Sequence, residues 1–163
     1  MTTQAQVWQW LDAVMDPEVP VVSVVDLGIV REIALQDDVV NVVLTPTYSG
    51  CPATEVIAND ITLALQQHGL QAKIRTQIAP PWTSDWMSAK GREALRAYGI
   101  APPAHLAQDT PQVVHLHRSG PAVACPLCGS SQTRLISQFG STACKALYRC
   151  NSCLEPFDYF KPH

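Results

Sequence analysis

The sequence is poor in charged and aromatic side chains, which make up 15% and 7% of its 163 residues. Its formal net charge is −3, so it lacks the basic excess typical of nucleic-acid-binding proteins. No run approaches the ~18 apolar residues of a membrane-spanning helix. The first residues have neither the basic nor the apolar region of a secretory signal. These absences predict a cytoplasmic protein that binds neither membrane nor nucleic acid.

Several catalytic motifs are missing as well. The sequence has no G-x-G-x-x-G loop for a flavin or nicotinamide nucleotide, and no H-E-x-x-H zinc pattern. It also has no Glu-x-x-His pair of the kind that builds di-iron carboxylate sites on helices. A thiol enzyme would need a base, and no histidine lies near the candidate cysteine in sequence. We therefore expect that the chain is not an enzyme in its own right.

Cysteine, in contrast, occurs in a highly specific pattern. Cys125-Pro-Leu-Cys128 and Cys150-Asn-Ser-Cys153 are separated by 21 residues. Each C-x-x-C turn presents two thiolates, and two such turns supply the four ligands of tetrahedral Zn²⁺. Two disulfides would explain the same spacing in an exported protein. Because four protein sulfurs leave no open position, the predicted zinc is structural.

The segments beside these cysteines predict a β zinc ribbon. Strands are expected over Thr133–Phe139, Ala146–Arg149 and Phe157–Phe160. About 40 residues with few large apolar side chains do not fold alone without such a metal. Cys144 lies outside both pairs. It is either a buried residue of the ribbon or a second reactive thiol, favoured as thiolate by the neighbouring Lys145.

Charge and composition divide the chain. Residues 1–104 carry eleven acidic and six basic side chains, a formal charge of −5, whereas residues 105–163 have a charge of +2. Proline and glycine mark both edges of the segment between the two parts. We predict a main domain over residues 1–104, a linker over 105–120 and the ribbon over 121–163. Val113–Leu116, within the linker, alternates like a strand.

The main domain begins with a predicted helix and a hairpin. Thr3 and Gln6 form a capping-box pattern, and the helix is expected to end at Asp16, before a proline. The β-branched run 21–25 predicts a short strand. The runs 29–35 and 39–44 flank polar turn residues and predict a β-hairpin.

The second chemical signal is Gly50-Cys51-Pro52. Pro52 suits the first position of a helix, which Gly69 ends. Cys51 then lies near the N-cap, among unpaired N–H groups at the positive end of the helix dipole, which favours a thiolate. Cys51 is a candidate nucleophile or metal ligand. The alternative is an ordinary small buried cysteine.

A third helix is expected after Ser84-Asp85, ending at Gly99. Trp82 and Trp86, near its start, are expected to pack in the core, because tryptophan is usually mostly buried. The predicted fold class is α+β, a small mixed sheet with packed helices followed by a β zinc ribbon.

These motifs resemble known families. The segment from Asp16-Pro-Glu18 to Gly28, together with Gly50-Cys51-Pro52, resembles the small domain of iron–sulfur assembly factors of the MIP18 type. Over essentially the whole chain, the sequence is similar to the family of phenylacetate-degradation protein D. The segments that support this likeness are Pro80–Met87, Gly91–Pro103 and Phe139–Cys150, followed by the second cysteine pair.

The resemblance implies an accessory or maturation factor for the multicomponent phenylacetyl-CoA epoxidase of aerobic phenylacetate catabolism. Its implied client is the reductase, which carries flavin and an iron–sulfur cluster. Cys51 matches the motif cysteine and inherits the role of a transient iron or cluster ligand. Asp16, Glu18 and Asp26 match acidic motif positions, although an aspartate at a turn often just bonds the backbone. The alternative is a structural or regulatory subunit of that complex, with the ribbon as a docking module.

One thiol limits what the main domain can hold. A stable [4Fe–4S] cluster usually takes four cysteines, and Cys51 is the single cysteine of residues 1–104. A cluster there must be labile, shared with another chain or completed by other ligands. A homodimer that bridges a cluster through two copies of Cys51 is one such arrangement.

Overall fold

The computed structural model describes residues 1–104 and 123–163. The chain divides into two compact units, Met1–Gly91 and Arg92–His163. Most of the predicted linker, with its expected strand at 113–116, lies outside the described residues. Within the described residues, no helix has the length and apolar character needed to cross a bilayer.

The first unit opens with helix α1, Gln4–Leu11. The predicted capping box is present, since the Thr3 hydroxyl accepts from the Gln6 backbone and the Gln6 side chain accepts from the Thr3 backbone at 2.9 Å. The helix ends at Leu11, one turn earlier than the sequence suggested. Asp12 and Ala13 donate backbone hydrogen bonds back to the last turn, so the chain leaves the helix before it reaches the proline.

The predicted hairpin forms strands β1, Val30–Gln36, and β2, Val39–Leu44, which pair antiparallel. Helix α2, Ala53–Gln66, then crosses to strand β3, Gln71–Thr76, which pairs parallel to β2. The sheet is therefore mixed, in the order β1-β2-β3. This βαβ connection places the Cys51 loop at the carboxyl end of β2.

One face of this sheet carries the core. Ile33 pairs with Val42, and Val42 with Ile74, so the three side chains share a face. Helices α1 and α2 pack together, and α2 packs on β3. The helices contribute their apolar stripes, of which the fully buried members are Val7, Leu11, Ile57, Ile61 and Leu65.

The predicted strand at residues 21–25 is wrong. Val22, Ser23 and Val24 are all buried, but the segment folds as successive turns with a single bridge between Met15 and Ser23. Two causes are visible in its hydrogen bonds. The Asp16 carboxylate captures the N–H groups of residues 18 and 19, and the carbonyl of Val24 accepts from residues 29 and 30.

The third helix begins later than expected. Ser84–Trp86 is a single 3-10 turn, Met87 is extended, and helix α3 spans Ala89–Ala97. Trp82 is buried and its indole N–H donates to the carbonyl of Leu27 at 3.0 Å, so it packs as predicted.

The second unit contains strands β4, Ile100–Ala101; β5, Thr133–Ser137; β6, Lys145–Cys150; and β7, Pro156–Phe160. Their order is β4-β7-β6-β5, with β4 parallel to β7 and the other pairs antiparallel. The three predicted ribbon strands are thus confirmed, and so is the α+β class. A buried cluster lies against this sheet, formed by Ala101, Val123, Cys125, Ala146, Tyr148, Cys150, Phe157 and Tyr159.

Candidate metal centre

The four paired cysteines meet at one point. The sulfur atoms of Cys125, Cys128, Cys150 and Cys153 all lie within 4.8 Å of one another. Cys125 Sγ is 3.8 Å from Cys153 Sγ, and Cys128 Sγ is 3.5 Å from Cys150 Sγ. Zinc–thiolate bonds of about 2.3 Å in a tetrahedron require sulfur–sulfur edges of about 3.8 Å. All four thiols are free. The chemistry and spacing of the donors fit Zn²⁺.

The two cysteine turns have matching backbones. Cys125 N donates to the carbonyl of Ser130, and Cys150 N donates to the carbonyl of Glu155, five residues on in both turns. The residue after each second cysteine is left-handed, with φ of 75° at Gly129 and 67° at Leu154. Glycine tolerates this conformation, whereas leucine is strained by it.

Backbone donors prepare the second turn for an anion. The backbone N–H of Cys153 lies 3.4 Å from Cys150 Sγ and lowers the pKa of Cys150 to about 6 from its ordinary 9.0. The N–H of Ser152 and the neighbouring thiols act in the same direction, while burial opposes them. The first thiolate of the cluster therefore forms readily, which a zinc ligand requires.

Further thiolates are harder to form without a metal. The backbone N–H of Glu155 favours the thiolate of Cys153, but burial and the neighbouring thiols outweigh it and raise the pKa of Cys153 to about 12. Adding negative charge to a group that already holds a thiolate is costly. A divalent cation removes that cost, so the cluster is suited to hold a metal and poorly suited to remain empty as four thiolates.

Cys144 lies outside this cluster. It is buried, and its sulfur is 3.0 Å from the hydroxyl of Thr142. Its backbone carbonyl accepts from the N–H of Lys161. Of the two roles expected for Cys144, its burial matches the structural one.

Cys51 occupies the loop between β2 and α2. The helix begins at Ala53, and its N-cap is Pro52, so Cys51 precedes the N-cap by one residue. Cys51 is partly exposed, and within the described residues its sulfur has no hydrogen-bond partner. Its carbonyl accepts from Thr54 N at 3.1 Å and helps start the helix. The Cys51 thiol thus lies just before the N-terminus of α2, and it does not cap the helix.

The two candidate aspartates have structural partners. Asp16 is buried, and its Oδ1 accepts from the N–H groups of Glu18 at 2.8 Å and Val19 at 2.9 Å. Asp26 accepts from the hydroxyl of Ser88 at 2.7 Å and pairs with Lys90 at 3.1 Å. These contacts organise the turns around the motif. A supporting role for either carboxylate toward metal stays a prediction.

Two further residues of this region were not predicted from sequence. Lys90 joins Asp26 to Asp12, which it contacts at 2.8 Å, and its position beyond the motif carried no signal. Thr45 opens the Cys51 loop, and its buried hydroxyl has no hydrogen-bond partner in the described part of the chain. Its place five residues before Gly50-Cys51-Pro52 is visible in the sequence, but the burial that makes an unpaired hydroxyl costly is not.

Two family models and one solved structure are similar to parts of this chain. A family model described as "Iron-sulfur cluster assembly protein" matches residues 4–75, and one described as "PaaD zinc beta ribbon domain" matches residues 109–161. A DUF59 domain of unknown function from Bacillus anthracis, solved by crystallography, is similar to 56% of this chain and 90% of its own, with a TM-score of 0.53 and 27% identity. The main domain therefore has the fold of that structure.

Two relatives with functional names are similar to this chain in sequence. A Porphyromonas gingivalis protein named "Fe-S protein maturation auxiliary factor" is 33% identical, covering 61% of this chain and 94% of the relative. A protein of Escherichia coli (strain K12), named as a subunit of a 1,2-phenylacetyl-CoA epoxidase, is 48% identical over 157 residues, 96% of this chain and 91% of the relative. The chain therefore belongs to the PaaD family, which includes this relative, and it joins an iron–sulfur assembly domain to a zinc ribbon domain.

Proposed function

We propose that this chain is an accessory factor of a phenylacetyl-CoA epoxidase system, and that it passes iron or an iron–sulfur cluster to another component through Cys51. The name of its Escherichia coli relative supports the assignment to this epoxidase system. The names of its maturation-factor relatives support a role in delivering iron or a cluster. We propose no catalytic activity for the chain itself. Turnover of phenylacetyl-CoA by the isolated chain with reductant and oxygen would show this to be wrong.

The observation that carries the proposal is the setting of Cys51. It is partly exposed, it lies next to the N-terminus of a 14-residue helix, and no other cysteine lies in its unit. Helix N-termini favour bound anions, including thiolates and the clusters they hold. A single thiolate is too few ligands to keep a [4Fe–4S] cluster, so cargo bound there is easily released. Easy release suits delivery better than electron transfer.

The proposed client is the reductase of the system, which the resemblance describes as a flavin and iron–sulfur protein. The other epoxidase components are further partners in this proposal. Two copies of Cys51 in a homodimer would supply two of the ligands that a transient cluster needs.

The ribbon has a separate, structural role in this proposal. Cys125, Cys128, Cys150 and Cys153 hold one Zn²⁺, and all four positions are filled by protein, so the zinc takes no substrate. We keep the division into a main domain over 1–104, a linker over 105–120 and a ribbon over 121–163 as a working proposal, to be tested by limited proteolysis.

The experiment compares Cys51→Ser with Ser49→Ala, an exposed control in the same loop. Each variant replaces the wild-type chain in cells that make the epoxidase system, and the reductase is purified anaerobically. We expect the Cys51→Ser strain to yield reductase poor in iron and sulfide, while Ser49→Ala yields loaded reductase. Iron and sulfide added in vitro should restore the deficient reductase, because its fold is intact.

Two results would change the assignment. Fully loaded reductase in the Cys51→Ser strain would remove the delivery role from this thiol. Fully loaded reductase in a strain that lacks the whole chain would favour the alternative, a structural or regulatory subunit with the ribbon as its docking module. The closed zinc site and the name of the Escherichia coli relative are the observations that keep this alternative in view.

A further inference from the structure

Strand β5 forms one end of the ribbon sheet and carries an unusual pair of charges. Among the described residues β5 hydrogen-bonds to β6 alone. Arg134 on β5 lies directly opposite Arg149 on β6. Like charges in directly opposed positions destabilise a sheet. Arg134 is exposed, and within the described part of the chain it has no hydrogen bond or ion pair.

A strained, exposed leucine adjoins this pair. Arg149 Nε donates to the carbonyl of Leu154 at 3.2 Å, which fixes the arginine beside the second cysteine turn. Leu154 is left-handed, with φ of 67°, and 61% exposed. The matching position of the first turn is Gly129, which adopts the same conformation without strain. A leucine at this position therefore carries a conformational cost and buries little of its side chain in the described fold.

A second exposed aliphatic side chain lies on the same strand. Ile136, at an irregularity in the pairing of β5 with β6, is 50% exposed. We call Arg134, Ile136, Arg149 and Leu154 the arginine–leucine edge. Glu155 follows Leu154, and its negative charge offsets one of the two positive charges of Arg134 and Arg149. The edge thus offers a net positive charge, two apolar side chains and a strand that pairs on one side only within residues 1–104 and 123–163.

We propose that the arginine–leucine edge docks an extended, acidic segment of a partner protein, which adds to the sheet alongside β5. An added strand would pair with the backbone groups of β5 that have no partner strand in the part of the chain that the structure describes, and its alternate side chains would lie on the two faces of the sheet. Acidic side chains on the segment would neutralise the opposed arginines, and an apolar one would cover Ile136 on β5. Leu154 lies in the turn between β6 and β7, so it would be covered by the part of the segment that continues past the end of these strands. Nucleic acid fits less well, since residues 1–104 carry a charge of −5 and the edge presents aliphatic side chains.

This inference rests on the proposed partnership with the epoxidase components, and its test separates the two. The full-length chain is titrated calorimetrically with each purified component at low and at high salt. Arg134→Glu/Arg149→Glu should weaken binding by about tenfold or more and reduce its salt dependence, because charge complementarity is lost. The matched control is Lys73→Glu/Arg75→Glu, two exposed positions of β3, which should bind within about twofold of wild type.

Leu154→Gly distinguishes docking from folding. Removing the side chain should weaken binding by about three- to tenfold, because an apolar contact is lost. The same change relieves the left-handed strain, so the melting temperature should equal that of wild type or rise, and the zinc content should stay at the wild-type value. A purely structural leucine would lower both when it is removed.

The remaining outcomes each decide the question. Wild-type affinity in both edge variants would overturn the docking edge and leave the proposed function standing. Equal weakening in the β3 control would also overturn it, because the effect would then be one of net charge. Binding of no component by the wild-type chain would overturn both proposals. Salt-sensitive self-association that the edge variants abolish would replace the acidic partner with a second copy of this chain.

Discussion

The two units of the chain are stabilised in different ways. The first buries a large set of branched aliphatic side chains between one sheet face and two helices, with Leu11, Val24, Leu44, Ile61 and Leu65 fully or almost fully buried. The buried cluster of the ribbon has Val123 as its one described branched aliphatic residue, beside three aromatic rings and two of the four clustered cysteines. The first unit has a core, whereas the ribbon has a thin aromatic layer around a metal site.

This difference explains why the candidate delivery cysteine lies in the first unit and the structural cysteines lie in the ribbon. A unit that is stable through its apolar core can leave a cysteine unused on an exposed loop, as it does with Cys51. The ribbon cannot release its cysteines, because their metal supplies much of the free energy of folding. Replacing a zinc-binding cysteine of the ribbon should therefore unfold the ribbon, whereas replacing Cys51 should leave both units folded. Four comparisons test this contrast, from the largest expected effect to the smallest.

The largest effect is expected for Cys150→Ser. Cys150 is fully buried, and its sulfur accepts hydrogen bonds from two backbone N–H groups. Serine at this position removes a zinc ligand and the sulfur that these N–H groups contact. We expect the loss of about one zinc ion per chain and unfolding of the ribbon, because structural zinc binding is coupled to folding. Metal analysis and amide hydrogen exchange measure both.

The matched cysteine control for that change is Cys51→Ser. It should keep its zinc and full protection from hydrogen exchange in both units, since Cys51 lies outside the cluster. A Cys150→Ser chain that retains its zinc and a protected ribbon would show that the aromatic layer alone is sufficient, and the contrast between the units would fail.

The second effect belongs to the core of the first unit. Ile61 is fully buried on α2, and Ile61→Ala should lower the free energy of unfolding by about 2–5 kcal/mol, because a cavity replaces packed atoms. Leu63→Ala, on the exposed side of the same helix, should change it by less than about 0.5 kcal/mol. Zinc content should be unchanged in both. A loss of zinc in Ile61→Ala would mean that the units do not fold independently.

How much of this could be predicted from sequence depended on how local the cause was. The capping box at Thr3, the hairpin and the ribbon strands follow from patterns within a few residues, and all were confirmed. The paired cysteines have few physical explanations, so their convergence followed from spacing. The strand predicted from the β-branched run 21–25 failed because the Asp16 carboxylate, which lies outside the segment, binds backbone N–H groups at residues 18 and 19 and fixes the chain in turns.

Other features depended on distant parts of the chain. The partners of Lys90 lie 78 and 64 residues away in sequence, and no local pattern indicates them. The late start of α3 depends on the extended backbone of Met87, since Ser88 N donates to the carbonyl of Asp26 and leaves the helical path. The strain at Leu154 could not be predicted either, because the positive φ of this leucine is visible only in the backbone of the folded chain.

The third effect compares one glycine in each unit. Gly28 has φ of 78°, and a Cβ there would lie 2.7 Å from the carbonyl oxygen of Trp86 and 2.8 Å from its Cβ. Gly129 in the ribbon has φ of 75° with nothing within 4 Å of a Cβ. Gly129→Ala should cost about 1–2 kcal/mol for the left-handed conformation alone. Gly28→Ala should cost about 2–4 kcal/mol, because overpacking adds to that strain.

Chemical denaturation of the two glycine variants measures these costs. Equal costs would mean that the first unit yields around Gly28 as freely as the open ribbon turn does, which would contradict its description as a close-packed core.

The smallest effect is expected for Lys90→Met, because the charge network of the first unit is largely exposed to solvent. Lys90, with Ser23, lowers the pKa of Asp12 below its ordinary 3.8, while contacts with Asp12 and Asp26 raise the pKa of Lys90 above 10.5. A lowered carboxyl pKa gives stability that is present above pH 3.8 and lost as the pH falls through the lower value. A raised amine pKa gives stability that is present below pH 10.5 and lost as the pH rises.

The variant should therefore be slightly less stable than wild type between pH 4 and 10, with a lower denaturant midpoint and an unchanged slope. The difference should shrink below pH 3.8, when Asp12 takes up its proton and the ion pair is lost in the wild type too. Lys73→Met is the control, since Lys73 is exposed and has no ion pair among the described residues, and it should match wild type at every pH. If Lys90→Met instead lost as much stability as Ile61→Ala, the first unit would depend on its charges as heavily as on its apolar core. The contrast with the ribbon would then need a different physical basis, because a network exposed to solvent and screened by salt is not expected to stabilise a domain to that degree.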